Sequence, residues 1–210
     1  MSAMDPPLHE RVYVGLKADY LAGHFVPGKR IDIQDMADRH HSSKTPVREA
    51  AFILVGEGLF THHIDGGFLV PIIAPNDLIE LLIWHQQLML TTLLNLKETA
   101  LRSALRKYTG PSETPAAVTV ANLTAQIFTS IADATGNQQA SIQIRRLNER
   151  LHYSRIAEDV DPATAVKELA TLANVEISNL QKSTRRRVEV YHMRKIAHQQ
   201  KIIHKSTIKE

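Results

Sequence analysis

The sequence contains no cysteine and no long apolar run, and each absence excludes a class of protein. Without cysteine the chain forms no disulfide, no thiolate nucleophile and no cysteine-based zinc site, as suits a reducing compartment. The most apolar stretch, residues 78–84, is much shorter than the roughly 20 residues that cross a bilayer. The N-terminus lacks the basic start and apolar core of a secretory signal. We therefore expect a cytoplasmic protein without a membrane partner.

The net charge of +3 is spread unevenly along the 210 residues. Residues 1–74 hold seven Lys/Arg and nine Asp/Glu (net −2), and residues 75–210 hold the other 18 basic and 13 acidic residues (net +5). Apolar residues make up 43% of the chain, enough for a packed core. Net charge therefore does not place a nucleic-acid site in the N-terminal part. The position of such a site has to be inferred from where individual basic residues lie.

Residues 1–74 are predicted to form three helices followed by a small hairpin. Two β-prone runs, 59–63 and 68–70, flank a glycine-bearing turn, which is typical of a hairpin. Three helices and a two-stranded wing are the order of a winged helix-turn-helix domain. The predicted helices are 8–25, 33–40 with Asp32 as N-cap, and one from Thr45-Pro46 to about residue 57.

After Pro75 the pattern becomes helical throughout. We expect Asn76 or Asp77 to cap a long helix, and Thr109–Pro115 to be a loop. The predicted fold class is therefore mainly α, with a winged domain over 1–74 and a bundle of five or six helices over 75–210. The further predicted helices are about 116–135, 138–157, 162–175 and 178–203.

The third helix has the polarity that a DNA-reading helix needs. One face carries the apolar residues Val47, Ala51 and Leu54, and Gly58 follows on the same face four residues later. This face is expected to pack on the first two helices. The opposite face presents basic and hydroxyl groups at the N-terminal end, where a recognition helix enters the major groove. These groups are Lys44, Thr45 and Arg48, and Arg39 on the preceding helix is placed to reach the flanking DNA backbone.

The N-terminal third contains three long motifs: Pro27-Gly28-Lys29-Arg30-Ile31, Met36-Ala37-Asp38-Arg39 and above all Ser43-Lys44-Thr45-Pro46-Val47-Arg48-Glu49-Ala50. With these motifs the segment resembles the GntR family of transcription regulators. The resemblance covers roughly residues 8–72 and includes the run Gly56-Glu57-Gly58-Leu59 and the wing glycine Gly67.

The resemblance implies a set of DNA contacts at matching positions. Lys44 stands where the family usually has arginine, and lysine lacks the bidentate fork that reads guanine. Two further departures are His41, where the turn normally has glycine, and Gly66, where the wing normally has arginine. The contacts implied are Arg39, Ser43, Lys44, Thr45, Pro46, Arg48 and Gly67.

Two segments of residues 75–210 are distinctive: Pro75-Asn76-Asp77-Leu78 and the run from Phe128 to Asn137. Through them this part of the chain resembles the FCD effector-binding domain of the FadR-like branch of that family. Many such domains bind a divalent metal through one aspartate and three histidines. Here Ala125 and Thr129 stand at the aspartate and first histidine positions, and only His192 matches a ligand. We therefore expect no metal and no cofactor.

A small-molecule pocket in the bundle is a second expectation. Its ligand would be an anionic or organic metabolite, and a bundle core is a usual place for such a cavity. For His85 and His152 the alternative is an ordinary buried histidine satisfied by its neighbours. The triplet Arg185-Arg186-Arg187 either contacts an anion or forms a solvated helix face. The candidate effector residues are His85, Arg146, His152, Arg155 and His192.

Together these patterns favour a transcription regulator, most simply a repressor that binds a pseudo-palindromic operator as a homodimer. The alternative is a winged-helix adaptor that uses the same domain for protein contacts. An enzyme is disfavoured because the sequence has no glycine-rich phosphate loop, no Ser-His-Asp signature and no paired metal motif.

Overall fold

The structure is a computed structural model that describes residues 8–108, 115–158 and 161–207. The chain divides between Ile72 and Ile73 into two compact units. We call residues 8–72 the winged unit and residues 73–207 the helical unit. Most of the predicted loop at Thr109–Pro115 lies outside the described residues.

The winged unit contains three helices and a two-stranded antiparallel sheet. The second helix is capped as the sequence predicts, since the Asp32 carboxylate accepts hydrogen bonds from the backbone N–H groups of Gln34 and Asp35. In the sheet Thr61 pairs with Leu69 and His62 with Phe68, and Arg30 adds an isolated bridge to Leu69. The elements are α1 (Leu8–Leu21), α2 (Ile33–Arg39), α3 (Lys44–Gly56), β1 (Thr61–His62) and β2 (Phe68–Leu69).

The core of the winged unit follows the helical spacing of its apolar residues. In α1 Val12, Leu16 and Tyr20 repeat every four positions, and all three are buried. In α3 Val47, Ala51 and Leu54 are buried, as predicted, whereas the helix ends at Gly56, before Gly58. Val14 of α1 lies two positions from both Val12 and Leu16, on the opposite face of the helix, and faces solvent.

The turn between α2 and α3 contains a backbone strain that predicts a stabilising substitution. His41 has a φ of 48°, in the left-handed region that costs a non-glycine residue roughly 1–2 kcal/mol. Glycine avoids this cost but loses about 0.4–1 kcal/mol through its freer unfolded chain. We therefore expect His41→Gly to stabilise the winged unit by about 0.5–1 kcal/mol. Slower amide hydrogen exchange in α2 and α3 measures this gain.

A matched control is Asn179→Gly, because Asn179 has a φ of 57° in the helical unit. This variant is expected to slow exchange in the helical unit and to leave α2 and α3 unchanged. Faster exchange in α2 and α3 of His41→Gly would show that the imidazole contributes more than its backbone strain costs.

In the part of the chain that the structure describes, the helical unit consists of seven helices. Its main core lies between α4, α5, α6, α7, α9 and α10, and includes Met89, Leu101, Phe128, Ile144 and Val188. Within the described residues, no helix is both long enough and apolar enough to span a membrane. The helices are α4 (Pro75–Leu94), α5 (Glu98–Leu105), α6 (Ala117–Asp133), α7 (Gln138–Arg150), α8 (His152–Ile156), α9 (Pro162–Ala173) and α10 (Leu180–Thr207).

Three sequence-based expectations for this unit were wrong in detail. The N-cap of α4 is Ala74, since Pro75 fits the first helical turn without an N–H group, and Asn76 and Asp77 fall inside that turn. The long helix ends at Leu94, and α5 follows as a separate helix. The helix predicted over 138–157 divides at Leu151 into α7 and α8, so the unit exceeds the predicted five or six helices.

Candidate nucleic-acid interface

The N-terminal end of α3 presents polar groups to solvent. Ser43 precedes the helix with extended backbone, and its side chain makes no capping hydrogen bond to the first turn. Lys44, Thr45 and Arg48 are exposed, whereas Pro46 is buried in its own unit. Pro46 is therefore a packing residue, and we leave it out of the proposed DNA contacts. An uncapped helix N-terminus flanked by cations favours an anion such as phosphate.

This end of α3 opens onto a groove of about 570 Å³ that runs to the wing. Lys44 and Arg48 contribute from α3, and Gly67 from the turn of the hairpin. The groove therefore joins the predicted recognition helix and the predicted wing tip in one concave surface. Its remaining lining residues are Arg30, Ile31, Asp32, Ile33, Gln34, Phe52, His62 and Phe68.

Arg30 is a cation of this groove that the sequence argument missed. Its backbone bridges to Leu69 beside the wing, and its side chain lies against Gly67. A Cβ on Gly67 would come within 3.1 Å of Arg30 Nε, and Gly67 also has a φ of +88°. Gly67 is thus required both for the turn and for the close approach of the guanidinium. Arg30 therefore brings an arginine to the wing although Gly66 stands where the family has one.

Aromatic contacts hold the wing against α3. Phe52, although 55% exposed, packs edge-on against Phe68 with 5.1 Å between ring centroids. The His62 ring lies 5.7 Å from Phe52 and 5.5 Å from Phe68. Because these three rings join α3 to both strands, the wing keeps a fixed position relative to Lys44 and Arg48.

Arg39 is anchored to the first helix. Its Nη1 lies 3.5 Å from Asp19 Oδ2, and its side chain is 49% exposed. The same carboxylate pairs with His40 Nε2 at 3.0 Å and with His24 Nδ1 at 3.1 Å. Asp19 therefore orients Arg39 at the surface while leaving half of it available to a partner.

The groove is locally basic although residues 1–74 are net negative. Arg30, Lys44 and Arg48 line it, and its one carboxylate among the described lining residues, Asp32, is engaged as the α2 N-cap. Glu57 lies outside the groove, where Lys17 Nζ binds it at 2.9 Å. The arrangement of charge, rather than its sum, thus makes this surface suitable for a polyanion.

In the helical unit, a chain of hydrogen bonds joins His85 and His192 in the core. His192 Nδ1 lies 2.6 Å from the carbonyl oxygen of Val188, which only accepts, so this nitrogen carries a proton. Neutral His192 then accepts at Nε2 from His85 Nδ1, 2.8 Å away. His85 is left with a lone pair on Nε2, which has no hydrogen-bond partner among the described residues.

Burial keeps both imidazoles neutral. It lowers the pKa of His192 to about 4, with Arg155 and Lys195 adding repulsion and the Val188 carbonyl opposing the shift. Burial also holds the pKa of His85 well below its ordinary value; repulsion from Arg155 and from any proton on His192 acts in the same direction, and the Asn148 side chain opposes the shift. The positive charge next to this pair is therefore the guanidinium of Arg155.

The residues present do not fit the metal site that the FCD resemblance implies. Ala125 offers no side-chain ligand, and Thr129 stands where a histidine would be required. The Asn148 amide nitrogen bridges these two positions, 3.3 Å from Ala125 O and 3.2 Å from Thr129 Oγ1. Among the described residues, no group of three His, Asp or Glu is placed to hold a metal ion.

The structure brings only part of the predicted effector set together. Arg155 donates through Nη2 to Asn148 Oδ1 at 2.9 Å, and its Cζ lies 5.8 Å from the centre of the Phe128 ring. His85 packs on the same ring at 5.0 Å. Arg146 is exposed and does not join the buried group, so its inclusion was wrong. His152 is buried in α8, where its ring packs edge-on against Tyr153.

The arginine triplet of α10 is divided between solvent and a groove of about 500 Å³ against α9. Arg186 and Arg187 line this groove, and Arg187 Nη1 donates to the carbonyl oxygen of Asn174 at 2.6 Å. Burial lowers the pKa of Arg187. Arg187 therefore binds the C-terminal end of α9, whereas Arg186 lies at the edge of the groove and is exposed to solvent.

The fold of the chain is shared with solved structures of two bacterial chains. The chain is similar to E. coli McbR/YncC, with a TM-score of 0.65 and 19% identity over 95% of this chain and 100% of that one. It is also similar to a Rhodococcus sp. RHA1 chain described as a transcriptional regulator GntR, with a TM-score of 0.70 and 16% identity over 91% and 96%. No protein-family model and no curated protein matches the sequence.

Proposed function

We propose that the chain is a DNA-binding transcription regulator rather than an enzyme, and that it represses by occupying a pseudo-palindromic operator as a homodimer. The observation that carries this proposal is the basic groove formed by α3 and the wing. Its contacts are proposed to be Ser43, Lys44, Thr45 and Arg48, with Arg39 on the DNA backbone and Gly67 at the wing tip. To these we add Arg30.

Each group has a role that its chemistry supports. Arg48 projects from the first turns of α3 and suits a guanine edge in the major groove. Lys44, a point charge, and the free N–H groups after Ser43 suit phosphates, and Thr45 offers a hydroxyl to either. The wing, with Arg30 laid along it, suits the narrower groove beside the major-groove site.

The homodimer and the effector are the two finer parts of the proposal. One winged unit contacts only a few base pairs. Two joined copies bind more tightly, and their two-fold symmetry matches that of a pseudo-palindromic operator. The buried polar group of the helical unit includes His85 on α4, the helix that follows the boundary at Ile72. A ligand bound there would change operator affinity only if it bound two dimer geometries with different affinity.

Selection of bound duplexes from a random pool tests the proposal. We expect enrichment of a two-fold symmetric sequence whose affinity falls steeply with salt. Repeating the selection with metabolite extract reports effector sensitivity, and sedimentation of the complex reports two chains per duplex. If no duplex is enriched at low salt, the adaptor function replaces this one, because an adaptor has no need of the groove's cations.

Arg30 supplies a separate prediction. Arg30→Gln removes a cation that lies along the wing, so duplex affinity should fall about fivefold for all sequences alike, and the salt dependence should weaken by about one released ion. Fluorescence anisotropy at several salt concentrations measures both changes. Lys29→Gln is the matched control, because Lys29 is the exposed neighbouring cation outside the groove. Equal losses in the two variants would remove Arg30 from the interface.

A further inference from the structure

Helices α9 and α10 lie antiparallel and leave a groove of about 500 Å³ between them. Near the connection between the two helices, Arg187 Nη1 donates to the carbonyl oxygen of Asn174. Further along α10, Arg194 binds Glu168, which lies earlier in α9 than that connection. The two helices therefore run in opposite directions, and both present residues to the groove at every turn.

The floor of the groove is apolar and incompletely covered. It is formed by Leu172 and Ile177 on one side and by Val190 and Tyr191 of α10 on the other. Leu172 and Tyr191 are buried, but Val190 is 45% exposed. An exposed apolar side chain inside a groove with a polar rim is typical of a surface that buries apolar side chains of a partner.

The rim of the groove carries an excess of positive charge. Glu168, the one carboxylate among the described lining residues, is bound by Arg194 and, at 3.2 Å, by Lys195 from outside the groove. Lys167 and Arg186 are exposed, and no carboxylate of the described residues pairs with either. The groove therefore favours an anionic partner. The four cations that line it are Lys167, Arg186, Arg187 and Arg194.

The spacing of these charges indicates which kind of anion fits. Arg186 and Arg194 lie on one side of α10, about 12 Å apart along its axis at 1.5 Å per residue, so one small head group cannot bind both. Acidic side chains two turns apart on a partner helix match this spacing, with an apolar side chain between them over Val190. A nucleic-acid duplex matches the charges, but its phosphates and sugars leave the apolar floor without a partner.

We propose that the α9–α10 groove binds an acidic amphipathic helix of another protein. Carboxylates of that helix pair with Arg186 and Arg194 at the rim and determine its specificity, whereas burial of its apolar face over Val190 supplies most of the affinity. The proposed DNA contacts all lie in the winged unit, so this binding is a second activity that does not depend on them.

Selection from a library of displayed helical peptides tests the proposal on the full chain. The library randomises one face of an alanine-rich helix, so neither charge nor hydrophobicity is chosen in advance. Enriched peptides should carry an apolar residue with aspartate or glutamate one turn away on either side. An enriched peptide labelled with fluorescein is then titrated by anisotropy, and its affinity should fall as salt is added.

Two variants of the groove and two matched controls locate the binding surface. Arg186→Glu should weaken peptide binding about tenfold or more, because it opposes like charges at the rim. Arg185→Glu makes the same change in the neighbouring residue outside the groove and should weaken binding by less than about threefold. Val190→Asp should abolish binding, because it places a carboxylate on the floor. Met193→Asp, at an exposed apolar position outside the groove, should leave binding unchanged. Circular dichroism checks that each variant folds.

The proposal is overturned if no peptide is enriched, if the enriched peptides have no preference for acidic residues, or if they bind Arg186→Glu and Val190→Asp as tightly as the parent chain. A second copy of the chain replaces the peptide as the occupant if Val190→Asp converts a dimer of the parent into monomers in sedimentation. Nucleic acid replaces it if Arg186→Glu weakens binding of the selected duplex as strongly as binding of the peptide.

Discussion

Arg48→Ala should weaken binding to the selected duplex by about 5- to 150-fold while leaving the fold and the dimer intact. The range corresponds to about 1–3 kcal/mol, the usual contribution of one arginine that reads a base edge. Arg48 is exposed on α3 and lines the groove, so its removal leaves no cavity in the core. Fluorescence anisotropy with the selected duplex and with an unrelated one measures the loss and the change in specificity.

The pattern of the loss matters as much as its size. A base-reading Arg48 is more important for the selected duplex than for the unrelated one, whereas a phosphate contact lowers both equally. Arg106→Ala removes the same charge from an exposed position in the helical unit and should change neither affinity by more than about twofold. Unaltered binding by Arg48→Ala would show that the polar face of α3 is not the recognition surface.

The mainly α fold with a winged N-terminal unit was predictable because its signals are local. The i, i+4 spacing of Val12, Leu16 and Tyr20 determines which face of α1 is buried. Asp32 caps α2 through its own neighbours. Turn glycines determine where the hairpin reverses. Each of these features depends on residues only a few positions apart, so the sequence displays it directly.

Features that depend on distant residues were missed. Arg30 joins the groove because its backbone bridges to Leu69, and no periodicity within its own segment indicates that pairing. Asn148 fills the space left by Ala125 and Thr129 from another helix, 23 and 19 positions away. Arg146 was grouped with His85 on residue type alone, and only the rotation of α7 places it in solvent. The polar cluster of the bundle therefore required coordinates.

Mild acid should destabilise the helical unit. The pKa of His192 is about 4 in the folded chain and about 6.5 when unfolded, and that of His85 is lowered in the same direction. The unfolded state therefore gains protons first as the pH falls. The stability contributed by these neutral imidazoles is complete above pH 6.5 and is lost progressively toward pH 4. At pH 5 the loss from His192 alone is about 2 kcal/mol.

Urea unfolding monitored by Trp84 fluorescence at pH 7 and pH 5 measures this loss in the unit that contains the histidines. His198→Gln, which removes an exposed histidine of α10, should show the same pH dependence as the parent chain. His192→Leu should show a smaller fall between the two pH values, whatever its stability at pH 7, because it has one buried imidazole fewer to protonate. NMR titration of the parent provides a direct check, and a His192 signal that titrates near pH 6.5 would mean that this ring is hydrated in solution and that the hydrogen-bond chain through His85 does not persist.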